Sequence, residues 1–267
     1  MPSYYKMHLD ETLRKPIYGG QVPDLSFLNY VSTTAQKGWS VGDSVLLPDN
    51  REFRHAKSAG SNAIKPQLGC NFTETGLLAY TTVAVAKSAG SREMTVPAAT
   101  HDAVTKDQLA GGYLLVFDNT YDADVTYGIT GNVAAAADVA FVIQLDQPLA
   151  LPLTTSDAVE VYKNPWASID QGNTVILPRA GASVTYVSAA ANYFWVQTKG
   201  IKHISPQLLV GGDNGGMMCM WRHDGSVDNV EDALAVTVDG YITCQPAGVV
   251  IAGSAAGNGP LINLTGY

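Results

Sequence analysis

Short apolar runs recur along the whole chain, each bounded by Gly, Pro, Asn or Asp. Within them apolar and polar residues often alternate, as where Phe53 lies between Glu52 and Arg54. An alternation of period two is typical of a half-buried antiparallel strand, whereas no stretch has the period of a long amphipathic helix. The pattern therefore predicts an all-β protein: one or more antiparallel sandwich or barrel domains, an extended N-terminal arm and at most very short helices.

The clearest single element is a hairpin over residues 42–56. An apolar strand ends at Leu47, the turn Pro48-Asp49-Asn50 follows, and a second strand begins at Arg51. Proline presets φ for a tight turn, and Asp and Asn tolerate the bridge and left-handed conformations that come next. The sequence therefore predicts both strands and the turn between them.

The same reasoning predicts strands along the rest of the chain and one short helix. The strands are expected at 77–85, 93–96, 113–117, 127–129, 140–145, 159–162, 174–178, 183–187, 193–198, 201–204, 207–210, 234–238, 241–244, 249–252 and 261–264. Thr105 and Gln108 have the spacing of a capping box, which predicts one or two helical turns that end at Gly111-Gly112. The hexapeptide at 56–61 recurs at 86–91, and we interpret the two copies as similar polar turns because six residues are too short for a repeat architecture.

Composition shifts divide the chain into three parts. Residues 1–40, rich in Tyr and Pro, are expected to form the arm, although Asp24 could instead cap a short helix. Residues 41–204 are expected to form the main β domain. Residues 205–267 are expected to form a C-terminal β segment or a small second β domain, and the Gly-rich stretch 211–216 is the best interior boundary that the composition offers.

The proportion of charged residues and the net charge indicate which kinds of partner to expect. Only 15% of residues are charged, against roughly 25% in an average soluble domain, so we expect much of the surface to be covered by subunit contacts. The net charge of −8 disfavours nucleic acid as a partner, because Lys and Arg contacts to phosphate dominate such binding. No apolar run reaches ~18 residues, so no membrane span is expected, and the N-terminus lacks the pattern of a secretory signal.

Few residues point to chemistry. The string from Gly38 to Gly42 matches the G-x-S-x-G nucleophile elbow around Ser40, but a strand and a proline turn follow it where the elbow requires a helix. The five histidines are far apart and the acids of 224–239 do not match a calcium loop, so a solvated acidic loop is favoured over a weak cation site. We expect no cofactor and no metal.

The segment 217–221 is expected to be core or subunit interface.

Three cysteines, Cys70, Cys219 and Cys244, are too few and too scattered for a disulfide framework. We interpret them as small buried hydrophobic residues.

Several stretches resemble, in the same order, virion structural proteins of tailed bacteriophages. The first is the hairpin sequence Val41, Gly42, Asp43, Leu47, Pro48, Asp49, Asn50, Arg51, Glu52, Phe53, Arg54, His55 and Ala56, with Gly60 after it. The others are 104–113, 151–165 and 191–198 with Gly200. The similarity spans roughly residues 41–204 and contains no signature of chemistry. His55 and Asn50 depart from the Tyr and Gly that the pattern often has, which bears on the geometry of the turn.

The resemblance implies a capsid decoration, or cement, protein: β domains that sit as trimers on the outer shell. We therefore expect a non-enzymatic structural protein of a phage particle, made in the host cytoplasm, that clamps neighbouring major-capsid subunits as a homo-oligomer on the capsid surface. A structural or receptor-binding component of the tail, baseplate or fibre is the alternative, and a serine hydrolase using Ser40 is a third, more remote one. Aromatic residues dominate interface energetics, so the candidate interface anchors are Tyr4, Tyr5, Phe53, Trp195 and Trp221, with core packing as the competing role for Phe53 and Trp195.

Overall fold

The computed structural model of the chain is nearly all β. It describes residues 25–47, 49–73, 76–119, 124–171, 177–206, 210, 217–230, 237–238, 241–242, 245–253 and 259–266. The strands, in chain order, are β1 Ser44–Leu46, β2 Glu52–Lys57, β3 Gly69–Phe72, β4 Gly76–Thr82, β5 Glu93–Val96, β6 Tyr113–Phe117, β7 Val125–Asn132, β8 Phe141–Leu145, β9 Ala158–Tyr162, β10 Ile169–Asp170, β11 Arg179–Ser183, β12 Tyr193–His203, β13 Met218–Trp221, β14 Val227–Asn229, β15 Thr237–Val238, β16 Tyr241–Ile242, β17 Gln245–Ala252 and β18 Leu261–Thr265. Short 3-10 helices occur at Ser26–Asn29 and Pro165–Ala167. The predicted fold class is confirmed: the strands form curled antiparallel sheets.

The chain divides into two compact units. The first unit contains residues 1–73 and 166–267, and the second unit contains residues 74–165. This division differs from the one expected at 40 and 204. The reason lies in the pairing of β12, which joins β2 from the N-terminal part and β18 from the C-terminal part in one sheet. The C-terminal segment is thus part of the first unit.

The first unit is organised around β12, its longest strand. Its ten-stranded sheet runs in the order β10-β3-β11-β12-β18-β17-β13-β14, and β2 pairs with both β12 and β1. The sequence predicted two strands separated near Gly200, but the structure has one continuous strand. Gly200 has φ +85° within it, and a Cβ there would lie 2.8 Å from Cα of Arg51, so the glycine accommodates an irregularity in the pairing.

The hairpin predicted at 42–56 is present. Its strands pair with Ser44 opposite Arg54, and the Leu47 N–H donates to the Arg51 carbonyl at 2.8 Å. Asn50 adopts φ +68°, the left-handed conformation expected at that position. Phe53 is buried while Arg54 is not, as the alternation predicts.

Part of the expected arm is packed against the first unit. Residues 1–24 lie outside the described residues, but residues 25–40 contain a 3-10 helix and fold over Trp195. The rings of Phe27 and Trp39 contact Trp195 edge-on, at centroid distances of 5.5 and 4.8 Å. The Trp195 indole N–H donates to Oε1 of Gln36 at 2.8 Å. Residues 25–40 of the expected arm are therefore packed against the sheet through their aromatic side chains, and the short helix considered as the alternative there corresponds in part to the 3-10 helix Ser26–Asn29.

The second unit is a six-stranded antiparallel sheet in the order β4-β9-β6-β7-β8-β5. One face carries a single apolar core, whose residues include Leu78, Leu114, Ile129, Ile143 and Val161. The other face bears alternate residues of the same strands.

The short helix predicted after Thr105 does not form. The Gln108 side chain does reach back to accept from the Thr105 N–H at 2.8 Å, as in a capping box. Asp107, however, has φ +59°, and its N–H donates to the Asn132 carbonyl at 3.0 Å. The segment is consequently a series of turns tied to β7.

Candidate interaction surface

The aromatic residues singled out from the sequence are core residues of the single chain where the structure describes them. Phe53, Trp195 and Trp221 are 2%, 1% and 3% exposed. Trp221 packs over the backbone of Gly69, where a Cβ would lie 2.7 Å from its ring. Tyr4 and Tyr5 lie outside the described residues. A partner contact has to be sought among other side chains.

Ser40 does not have the surroundings of a nucleophile elbow. It is exposed in a turn before β1, and its N–H donates to Oδ2 of Asp43 at 2.8 Å. His55 contacts the Ser40 carbonyl oxygen, at 3.2 Å from Nδ1, rather than the hydroxyl. The arrangement holds a turn together and does not activate an oxygen nucleophile.

The acids of the 224–239 stretch that the structure describes serve the local fold. Asp224 Oδ1 accepts from the Ser226 N–H and hydroxyl at 2.9 and 2.6 Å, and Oδ2 of Asp228 accepts from Arg222 at 2.7 Å. Glu231, Asp232 and Asp239 lie outside the described residues. Within the part of the chain that the structure covers, no three His, Cys, Asp or Glu side chains converge as metal ligands do.

Two of the cysteines behave as predicted. Cys70 and Cys219 are buried free thiols. Burial raises the pKa of Cys70 to about 12 and that of Cys219 to about 11, so both stay protonated. Cys244 lies outside the described residues.

The first unit does expose apolar side chains on the outer side of its sheet. Four neighbouring strands place one residue each in a lateral row: Ile201 pairs with Asn263, Asn263 with Val249, and Val249 with Met218. Ile201, Val249 and Met218 are 49%, 42% and 54% exposed. Ile251 and Leu261 extend the row along β17 and β18. We call Ile201, Met218, Val249, Ile251 and Leu261 the aliphatic face.

The opposite side of the same strands forms the core. Val250, Ile262 and Cys219 alternate with members of the aliphatic face and are buried. The outer side of this part of the sheet therefore carries five exposed apolar side chains, with the polar Asn263 among them, whereas a sheet with one solvated side normally carries mainly polar residues there.

A groove of about 770 Å³ adjoins the aliphatic face and shares Ile201 and Leu261 with it. Phe53, Leu28 and Val184 also line it, and its described lining includes the basic side chains Arg51, Lys202 and His203 but no Asp or Glu. Lys202 Nζ donates to the Ser183 carbonyl at 2.9 Å, and burial lowers the pKa of this lysine. The groove is mainly apolar, and one of its three basic side chains, Arg51, pairs with Asp49, whose Oδ2 lies 2.6 Å from Nε of Arg51.

The sequence predicted part of this surface. The segment 217–221 was expected to be core or interface, and Met218 is exposed while Cys219, Met220 and Trp221 are buried. Ile201 begins the predicted strand 201–204, where Lys202 and His203 follow it, whereas Val249 and Leu261 lie in predicted strands in which apolar residues are adjacent. Such a run does not tell which residues face outward.

None of the described residues form a helix that is long and apolar enough to cross a membrane. Comparisons of the chain with protein-family models, with curated proteins and with solved structures find no match.

Proposed function

We propose that the chain is a non-enzymatic structural protein of a tailed-phage particle. It acts as a capsid decoration protein that assembles as a homotrimer on the outer shell and stabilises neighbouring major-capsid subunits. The observation that carries the proposal is the aliphatic face with its adjoining groove. A cluster of exposed apolar side chains on one side of a sheet often marks a contact site between proteins. A protein whose work is to hold subunits together needs such a surface.

The charges around the groove indicate which kind of contact it makes. In a two-fold dimer the same patch meets itself, which would bring Arg51 and Lys202 against their own copies. The whole chain, however, has 24 acidic and 16 basic residues, so most of its surface favours a basic partner patch. A contact between the groove, with its basic residues, and a different, acidic patch of the next copy is heterologous, and such contacts form a ring where the rotation between copies closes. The trimer is the ring that the resemblance implies.

The proposal is tested by placing charges on the aliphatic face. In the double variant Ile201→Glu with Val249→Glu, two carboxylates would have to be desolvated in the contact. We expect the purified wild-type chain to have three times its 28.2 kDa mass by light scattering, and the variant to be a monomer that no longer binds purified shells. Leu46→Glu is the matched control, because Leu46 is an exposed aliphatic residue outside this face. A double variant that assembles and binds shells like the control would contradict the proposal.

A further inference from the structure

The second unit exposes tyrosines on the outer side of its sheet. Tyr113 of β6 pairs directly with Tyr162 of β9, and Tyr80 lies on the neighbouring strand β4. The three are 44%, 39% and 55% exposed, and the Tyr80 ring contacts Phe117 at a centroid distance of 5.1 Å. We call Tyr80, Tyr113 and Tyr162 the tyrosine face.

Glycines flank the two paired tyrosines. Gly76 of β4 pairs with Tyr162, and Gly128 of β7 pairs with Tyr113, so the row across four strands is Gly76, Tyr162, Tyr113 and Gly128. A Cβ on Gly76 would lie 3.5 Å from Cε1 of Tyr162, which places that ring over the Gly76 backbone. The Tyr162 ring therefore leans along the sheet instead of standing away from it.

Carboxylates accompany the tyrosines. The Tyr162 hydroxyl donates to Oε2 of Glu160 at 2.7 Å. At the other end of the row, Oδ1 of Asp146 accepts from the Gly128 N–H at 3.0 Å, and Oδ2 lies 2.6 Å from the place a Gly128 Cβ would take. Asp146 thus fills the outward side of Gly128, next to Tyr113. Aromatic rings and hydrogen-bond acceptors are combined in one short row.

We propose that the tyrosine face binds a neutral saccharide. The C–H groups of a sugar ring are weakly positive and pack against the negative face of an aromatic ring, while its hydroxyl groups donate to carboxylates. Glu160, two residues before Tyr162 on β9, and Asp146, beside Gly128 at one end of the row, supply those acceptors. The same two negative charges disfavour an anionic sugar.

The size of the site favours a small ligand over a protein. Strands lie ~4.8 Å apart and outward residues ~6.8 Å apart along a strand, so four strands with three outward positions cover roughly 400 Å². A stable protein contact needs ~800 Å² on each partner. The distance from Tyr162 across Tyr113 to Asp146 is about two strand spacings, roughly 10 Å, which suits a short oligosaccharide. This inference is independent of the proposed function and would stand if the chain were not a virion component.

The test is a titration of the purified full-length chain with a panel of neutral oligosaccharides, followed by NMR or calorimetry. Anionic oligosaccharides and a proline-rich peptide complete the panel, since aromatic surfaces also bind the latter. We expect at least one neutral saccharide to bind, and Tyr113→Ala to weaken it by about tenfold or more, because stacking on an aromatic ring supplies much of such binding. Tyr186→Ala is the matched control, because Tyr186 is an exposed tyrosine of the first unit, and it should leave the affinity unchanged.

Circular dichroism of Tyr113→Ala separates loss of the site from loss of the fold, and Tyr162→Phe, which keeps the ring, should retain most of the affinity. The inference is overturned if no neutral saccharide binds at about 10 mM, the weak end of specific recognition. It is also overturned if Tyr113→Ala binds like the control, or if only the anionic sugars or the peptide bind.

Discussion

The two sheets have the same kind of inner side but different outer sides. Inside, each buries branched aliphatic residues, such as Val250 and Ile262 in the first unit and Ile143 and Val161 in the second. Outside, the first unit presents aliphatic side chains beside basic groups, whereas the second presents tyrosines beside carboxylates. The inner sides explain why both units fold. The outer sides, which folding does not require to be apolar, are where the two units differ chemically.

The largest effect is expected from a substitution that destabilises the sheet of the first unit and leaves the sheet of the second unit unchanged. Gly248 lies in β17 under the aliphatic face, with φ +157°, and a Cβ there would lie 2.1 Å from the Asn263 carbonyl oxygen. We expect Gly248→Ala to cost about 3 kcal/mol of unfolding free energy. Tryptophan fluorescence during urea unfolding measures this in the first unit, because all four tryptophans, Trp39, Trp166, Trp195 and Trp221, belong to it.

Gly38→Ala is the control for that substitution. Gly38 also has a positive φ, +84°, but nothing lies within 4 Å of its Cβ position. Gly38→Ala should lower the unfolding free energy by only about 1 kcal/mol, which is the strain of a left-handed backbone conformation in a residue that has a Cβ. Equal losses of unfolding free energy in Gly38→Ala and Gly248→Ala would contradict the interpretation that a Cβ at position 248 collides with the neighbouring strand.

The corresponding experiment for the second unit replaces Gly112 by alanine. A Cβ on Gly112 would lie 2.3 Å from the Tyr162 carbonyl oxygen and 2.9 Å from that of Leu109. Gly112→Ala should therefore cost about 2 kcal/mol and displace the end of β9 that carries Tyr162. Saccharide binding should be lost while the assembly of the first unit persists. Loss of assembly together with binding would show that the two outer sides are not independent.

A pH change should affect the first unit through His55. This imidazole is buried against the rings of Tyr193 and Trp195, and burial lowers its pKa from 6.5, although the Ser40 carbonyl and the charge of Asp43 favour the protonated form. Below pH 6.5 the unfolded chain binds a proton that the folded chain takes up only at lower pH. The unfolding free energy should thus fall as the pH drops from about 7 to 5, a window above the titration of Asp and Glu.

Tryptophan-detected unfolding at several pH values measures that slope. His55→Asn should flatten it in this window, whatever the variant does to stability at pH 7. An unchanged slope in the variant would assign the effect to other groups.

The smallest effect concerns the tyrosine face. The hydrogen bond from Tyr162 to Glu160, and the charge of that carboxylate, raise the pKa of Tyr162 above 10.0. Glu160→Gln should return this pKa toward 10.0, as followed by the NMR shift of the ring during a pH titration. Tyr162→Phe, which removes the titrating hydroxyl, serves to assign the signals of this ring. A Tyr162 pKa that does not move would mean that the two side chains are not coupled in solution.

Much of the fold was predictable from the sequence where neighbouring residues determine the bounds of a strand or the conformation of a turn. The strands at 93–96 and 113–117 have the bounds that alternation and flanking turns predict, and Asn50 takes the conformation that its turn position requires. The predictions were wrong where contacts between residues distant in the sequence determine the structure. Residues 183–187 are not a strand: β11 ends at Ser183, and Val187 makes only an isolated bridge with Ile64. The insertion of the second unit likewise depends on pairings between remote segments.

The surfaces were less predictable than the fold. Large aromatic residues attract attention in a sequence, but Phe53, Trp195 and Trp221 are the ones that the core needs most. Ile201, Val249 and Met218 form a row only because three strand registers align them. No local pattern encodes a register between strands separated by tens of residues.

The central claim, that this chain is a structural component of the phage shell, is tested most directly by its copy number. Quantitative mass spectrometry of purified particles, with the major capsid protein as the reference, gives that number. We predict a ratio near one copy per capsid subunit. A ratio of only a few copies per particle would contradict the decoration role and assign the chain to the tail, baseplate or fibre instead.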